Sequence, residues 1–252
     1  MSKNSLVSDF FGMTLLIPDK DDAERDAVAD AWSNNGGELL RIAKFWNPPL
    51  LDDKEIRVYG NNMFCLILAE KLGLELISPE DDFLIEIDQN WTRRRINIMT
   101  LSEARNVIFP AFIKPVVPKV FKAGVYGNPK DLETECTQLK LTTPVYVSEV
   151  VDIPAEARCF ILNGQVMTLS VYEGSSDLQE AREFINSFIS NNERLIPNSL
   201  VLDVGLISSR GWAVIEANAA WGAGLNGCDA AKAVWSIANA SRRIKKVREN
   251  QC

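Results

Sequence analysis

The sequence predicts an α/β unit followed by an α+β region, and three observations carry that prediction. Strand-like and helix-like segments alternate over residues 13–77, the pattern of a largely parallel sheet covered by helices. After Pro110 the chain becomes rich in β-branched and aromatic residues. Two hairpin patterns follow, one at Asn163-Gly164 and one around residues 208–211. The expected division is 1–109 and 110–252, and 252 residues give room for one or two cores.

Taken in order, residues 13–17 read as a short buried strand. Residues 21–32 carry Ala23, Ala27, Val28 and Ala31 on one helical face, and Asn34-Asn35-Gly36-Gly37 stops that helix. Residues 38–45 and 55–59 read as the next strands, with Arg41 and Lys44 near the end of the first. Residues 61–72 form an apolar helix closed by Gly73, and 74–77 a fourth strand. A charged stretch with Arg93-Arg94-Arg95 follows, either a solvated helix face or a binding patch. A helix at 101–106 leads to Pro110. Residues 111–114 form a strand that Pro115 and Pro118 break and 119–126 resume, and 144–151 form another. Residues 157–162 and 165–172 flank the Asn-Gly turn. Leu178, Ala181, Phe184, Ile185, Phe188 and Ile189 make a helical stripe. Residues 200–207 and 212–217 flank the second turn, and Asp229 caps a final helix expected to reach about Val247.

Composition excludes several chemistries. The chain has no histidine, so Ser-His or Cys-His nucleophiles, His bases and His metal ligands are all ruled out. The net charge of −7 argues against binding nucleic acid by phosphate neutralisation. Five cysteines, an odd number without a C-x-x-C pair, argue for reduced thiols rather than disulfides or zinc. The polar N-terminus has no apolar leader, and no apolar run approaches the roughly 20 residues of a membrane span. A cytoplasmic location without membrane partners is the expectation.

The second hairpin holds the clearest constellation. With a four-residue loop, 208–211, Ile207 faces Trp212 and Asp203 faces Glu216; Asn218 shares the Glu216 face. Two opposed carboxylates among apolar neighbours repel, and a divalent cation between them removes the conflict. Two carboxylates and an amide oxygen make a hard all-oxygen site for Mg²⁺ or Mn²⁺. The alternative is that one carboxylate faces solvent or pairs with Arg or Lys. In the first hairpin Glu156, Arg158 and Phe160 share a face, with Ala157, Cys159 and Ile161 opposite. Lys114, Lys119 and Lys122 beside Gly124 form a phosphate clamp or a solvated patch; the P-loop and dinucleotide glycine signatures are absent. Residues 219–227 are small and flexible around Trp221, either an opening for substrate or a plain turn, and Cys228 beside them reads as structural.

FIKP, then KVFKAG, VYVSEVVDIPAEARCF, LDVGLI and VIEANAAWGAGL resemble, in this order, the ATP-grasp superfamily. The chain is similar in particular to a small clade of bacterial and phage proteins defined by an Arg and two Lys positions. The likeness covers residues 110–241, and RIAKFWNP, IRVYGNNMF and TRRRINIMTLSEAR resemble that clade's companion domain. It implies an ATP-grasp fold with a small N-terminal α/β domain of the pre-ATP-grasp kind, and ATP held between two α+β lobes. By resemblance Lys114 and Lys119 hold phosphates, and Tyr146, Val147, Ser148, Glu149 and Val150 form the hinge that meets adenine. Glu156 takes the ribose, Arg158 belongs to the E-x-R element, and Asp203, Glu216 and Asn218 bind the metal. The glycine-rich phosphate loop is short, mostly Ala123-Gly124, and no separate Lys precedes the hinge.

The resemblance implies a carboxylate–amine ligase that uses Mg-ATP and an acyl phosphate and releases ADP and phosphate. Lys114 and Lys119 align the phosphates and Arg158 stabilises the developing anion. A kinase on the same fold and a non-catalytic ATP-binding module are the alternatives. Arg41, Lys44, Arg93, Arg94 and Arg95 are candidates for an acidic substrate or another chain. A homodimer is the default expectation.

Overall fold

Leu15, Leu16 and Ile17 are wholly buried and make β1 (Met13–Pro18) the centre of the N-terminal unit. The computed structural model describes residues 10–51, 54–117 and 120–244. α1 (Ala23–Asn34) starts where Asp22 accepts the Arg25 N–H, and it leads to β2 (Glu38–Ile42). β3 (Glu55–Val58) pairs on the other side, giving a parallel sheet in the order β2-β1-β3. α2 (Asn62–Leu72) is capped by Asn61 and stopped by Gly73, whose φ of 64° is left-handed.

A Cβ at Gly73 would touch nothing within 4 Å, so only backbone strain opposes a side chain there. Gly73→Ala is therefore expected to destabilise by about 1 kcal/mol, read as a lower urea midpoint with an unchanged slope.

β4 (Leu74–Leu76) does not join the parallel sheet, contrary to the sequence expectation. Two short helices follow, α3 (Phe83–Glu86) and α4 (Gln89–Thr92). β5 (Ile96–Thr100), α5 (Leu101–Ala104), β6 (Ala111–Pro115), β7 (Gly124–Tyr126), α6 (Pro129–Glu135) and β8 (Pro144–Ser148) come next. Their strands form an antiparallel sheet ordered β5-β8-β6-β7. Thus β5, from before Pro110, is an edge strand of the sheet that β6 to β8 build.

β9 (Ala155–Leu162) and β10 (Gln165–Gly174) meet at Asn163 and Gly164, both with positive φ, as the Asn-Gly signal requires. α7 (Leu178–Asn191), β11 (Ser199–Ile207) and β12 (Gly211–Asn218) complete a sheet ordered β10-β9-β11-β12. α7 lays Ala181, Ile185, Phe188 and Ile189 on one face of it, against Cys159, Ile161, Leu200, Leu202 and Val204. Phe160 and Val201 point the other way, into the core shared with α1 and β1.

α8 (Ala230–Ala238) ends well before Val247. Arg57 Nε donates to the Ala238 carbonyl at 2.6 Å, and β13 (Ser241–Arg243) pairs antiparallel with β4. That pairing is the reason for both departures: β4 and the segment after α8 each take their form from the other, far away in sequence. Val247 itself lies outside the described residues.

Candidate active site

The face of the β9–β12 sheet opposite α7 changes from apolar to charged within two residues. Phe160 and Val201 form one cross-strand pair, and Arg158 and Asp203 form the next but one. Glu216 on β12 faces Asp203 in turn. Arg158, Asp203 and Glu216 therefore make a row across three neighbouring strands.

Within this row Arg158 grips Asp203 with both ends of its fork, Nε to Oδ1 at 2.8 Å and Nη2 to Oδ2 at 2.6 Å. The Asp203 side chain is 2% exposed, so the pair is nearly dry. Burial pushes the Asp203 carboxyl up and Arg158 opposes that shift. Asn218 Nδ2 sits 3.5 Å from Asp203 Oδ2. Lys114, from β6 of the other sheet, donates to Glu216 Oε1 at 3.0 Å and lies 5.4 Å from the Tyr146 ring centroid. Burial acts to raise the Glu216 carboxyl; Lys114 outweighs it and leaves the group below its ordinary range. Both carboxylates are thus paired with cations, the alternative that spacing left open.

The Asp203–Glu216 pairing arises by a different route from the expected one. The loop is one residue shorter than expected, with Ile207 opposite Gly211. Ser209 and Gly211 take positive φ there. A bulge then inserts Ile215, because Val204 faces Val214 while Asp203 faces Glu216. The two one-residue offsets cancel.

The hinge residues divide. Tyr146, Val147 and Ser148 lie in β8, paired with β5 on one side and β6 on the other. Tyr146 gives its hydroxyl to the Asp81 carbonyl. Glu149 and Val150, just past the strand, line a cavity of 280 Å³ together with Phe112, Ile153 and Ile215. Glu149 accepts from the Arg95 N–H at 3.2 Å and from Arg210 Nη1 at 2.6 Å, and Arg210 chiefly holds its carboxyl low. Glu156 opens onto the same cavity; burial raises its carboxyl, and the Tyr172 hydroxyl bonded to it opposes the rise. Lys114 and Glu216 form the wall between this cavity and a second one of 390 Å³. Asn218, Ala219 and Trp221 connect the second to a third, of 280 Å³, beside Arg25 and Asn61. Lys119 lies outside the described residues.

The model of one protein family matches residues 91–234, more than half of the chain. It describes an ATP-grasp domain, family 2 of the clade named for one Arg and two Lys positions. The chain belongs to this family. No curated protein matches it. Among solved structures, the RimK domain protein ATP-grasp from Sphaerobacter thermophilus is 14% identical with a TM-score of 0.60, over 90% of this chain and 98% of that one. The L-amino acid ligase from Bacillus licheniformis is 12% identical with a TM-score of 0.57, over 85% and 69%. A RiPP-associated ATP-grasp ligase from Chryseobacterium gregarium, in complex with ADP and a leader and core peptide, is 14% identical with a TM-score of 0.54, over 91% and 96%. At such identities the likeness is one of fold, and it agrees with the expected architecture.

In this ATP-grasp chain the donor set fits a hard cation shared with phosphate. Among the described residues no cluster of three or more His, Cys, Asp or Glu forms a closed cage. Mg²⁺ asks for less: one or two carboxylates, the remaining positions going to water and phosphate oxygens. Asp203, Glu216 and the Asn218 amide oxygen meet that requirement.

Three contributors to the site carry no signal in the sequence. Glu24, on α1, accepts the N–H groups of Leu225 and Asn226 at 2.9 and 2.7 Å. Together with Tyr59, which donates to the Ala223 carbonyl, and Arg158, which donates to Gly224, it fixes the loop expected to be flexible. Tyr172 sits against Glu156 and Arg158. Arg94 is buried beneath the 280 Å³ cavity that Glu149 and Glu156 line. Its neighbours in the run differ: Arg93 packs on Phe184 and Arg95 is exposed, while Arg41 pairs with Asp26. Cys228 is buried with its thiol pushed up to about 11 by burial, and its sulfur donates to the Arg158 carbonyl, in keeping with a structural role.

Proposed function

We propose that this ATP-grasp chain is an ATP-dependent carboxylate–amine ligase that forms an amide through an acyl phosphate and releases ADP and phosphate. The supporting observation is the place of Lys114 and Glu216, between an apolar cavity suited to a base and a second cavity leading to a third. In this reading adenine lies among Phe112, Val150, Ile153 and Ile215, and Glu156 takes the ribose hydroxyls. Lys114, with Lys119, aligns the phosphates. Asp203, Glu216 and Asn218 hold Mg²⁺ or Mn²⁺, which when bound neutralises phosphate charge. Arg158 holds Asp203 in place and adds positive charge beside the transferring phosphoryl group. The third cavity is where a carboxylate and an amine acceptor meet the activated phosphate.

Calorimetric titration with ATP, with and without Mg²⁺, tests the nucleotide site. Micromolar binding that depends on Mg²⁺ and weakens at least tenfold in Glu216→Gln is expected. Absence of binding at millimolar ATP by the folded protein would sink the reading. Product analysis then separates the activities: a ligase yields an amide with free phosphate, and a kinase a stable phosphorylated product.

A further inference from the structure

The register of the β11–β12 hairpin decides which face Glu216 takes. With Ile207 opposite Gly211, an unbroken ladder would bring Ile215 opposite Asp203 and Glu216 opposite Leu202, in the α7-side core. The extra residue at Ile215 reverses this and sends Glu216 to the Asp203 face. A bulge leaves ladder groups without their regular partners, and buried carbonyls need replacements.

Arg94 supplies them. Its Nη1 donates to the Val214 carbonyl at 2.9 Å and its Nη2 reaches the Ile215 carbonyl at 3.5 Å. Nη1 also donates to the Thr92 carbonyl at 3.0 Å, which anchors the fork from behind. Arg94 is 8% exposed, and its guanidinium lies under the cavity that Ile215 and Glu216 line. No other described side chain donates to these two carbonyls.

We propose that Arg94 is a positioning residue of the metal–nucleotide site, which holds the Val214–Ile215 bulge and so keeps Glu216 on the face of Asp203 and Asn218. The proposal rests on the reading of this cleft as a metal–nucleotide site. It assigns Arg94 no contact with the phosphates or the metal.

The test uses the full chain and two probes, adenosine and the non-hydrolysable analogue AMPPNP, the latter with and without Mg²⁺. Arg94→Met is expected to bind adenosine within about threefold of wild type and to lose at least tenfold of the Mg²⁺-dependent gain for AMPPNP. A glycine inserted after Ser209 in the same variant lets Ser208 face Gly211 across a three-residue loop. An unbulged ladder then places Glu216 opposite Asp203, and most of the Mg²⁺ gain is expected to return. Rescue by a loop insertion is not expected of a residue that merely stabilises the fold. Arg94→Lys, which keeps the charge and stem but lacks the fork, takes the place of Arg94→Met if that variant does not fold. An undiminished Mg²⁺ gain, failure of the insertion to rescue, or an equal loss for adenosine would each overturn the proposal. If the wild type binds neither probe, the nucleotide reading fails and hydrogen exchange decides the positioning role. Exchange at residues 215–217 should then rise at least tenfold over Trp212 and Ala213 in Arg94→Met; a uniform change along β12 would refute it.

Discussion

Arg158→Ala is expected to destabilise the protein by about 3–5 kcal/mol. Two losses combine. Asp203, whose side chain is 2% exposed, is left as a buried carboxylate without its guanidinium. The Gly224 carbonyl also loses the Arg158 Nη1 donor at 2.9 Å, which loosens the loop after Asn218. The lost attraction is smaller than the cost of a desolvated charge left behind, so the partner matters more than the bond. The double variant Arg158→Met, Asp203→Leu should recover most of the stability, since neither charge then remains buried. Urea unfolding of the three proteins is the measurement. Equal losses in the single and double variants would show that the charge pairing is not what Arg158 supplies. Neither variant is expected to bind Mg-ATP well, because both alter the row that faces the phosphates.

The folding pattern could be read from residues wherever local signals and tertiary packing agree. Asp22, Asn61 and Asp229 cap the helices they precede, Gly73 ends α2, and Asn163-Gly164 turns the β9–β10 hairpin. Agreement failed where a segment is made regular by a distant partner. Ser241–Arg243 has no strand pattern; it is a strand because β4 lies beside it and Arg242 meets Glu75 at 2.7 Å. β5 alternates weakly and gains its place from β8. The carboxylate pair shows a subtler case. Alternation along β11 and β12 put Asp203 and Glu216 on one face, but the loop length and the bulge each altered the register by one residue, and only their sum matched. Arg94, which contacts that bulge from 120 residues away, looked like any member of an arginine run.

Lys114→Met separates function from stability in the opposite sense to Arg158→Ala. The Lys114–Glu216 pair bridges two sheets, but the Glu216 side chain is 44% exposed, so its net contribution to folding is at most about 1 kcal/mol. The effect on turnover should be far larger, a fall of roughly 10²–10³-fold in ADP release, because a fixed cation beside developing phosphate charge acts in a partly dry cleft. The pH dependence follows from the depressed Glu216 carboxyl, which Lys114 holds down against the effect of burial. A group lowered in the folded state stabilises above its unfolded value, here 4.5, and loses that contribution as the pH falls through the folded value. Urea midpoints of wild type and Lys114→Met should therefore differ slightly at neutral pH and converge well below 4.5. A midpoint gap that persists in acid would mean that Lys114 stabilises through its packing on Tyr146, and unchanged ADP release would remove it from the phosphate site.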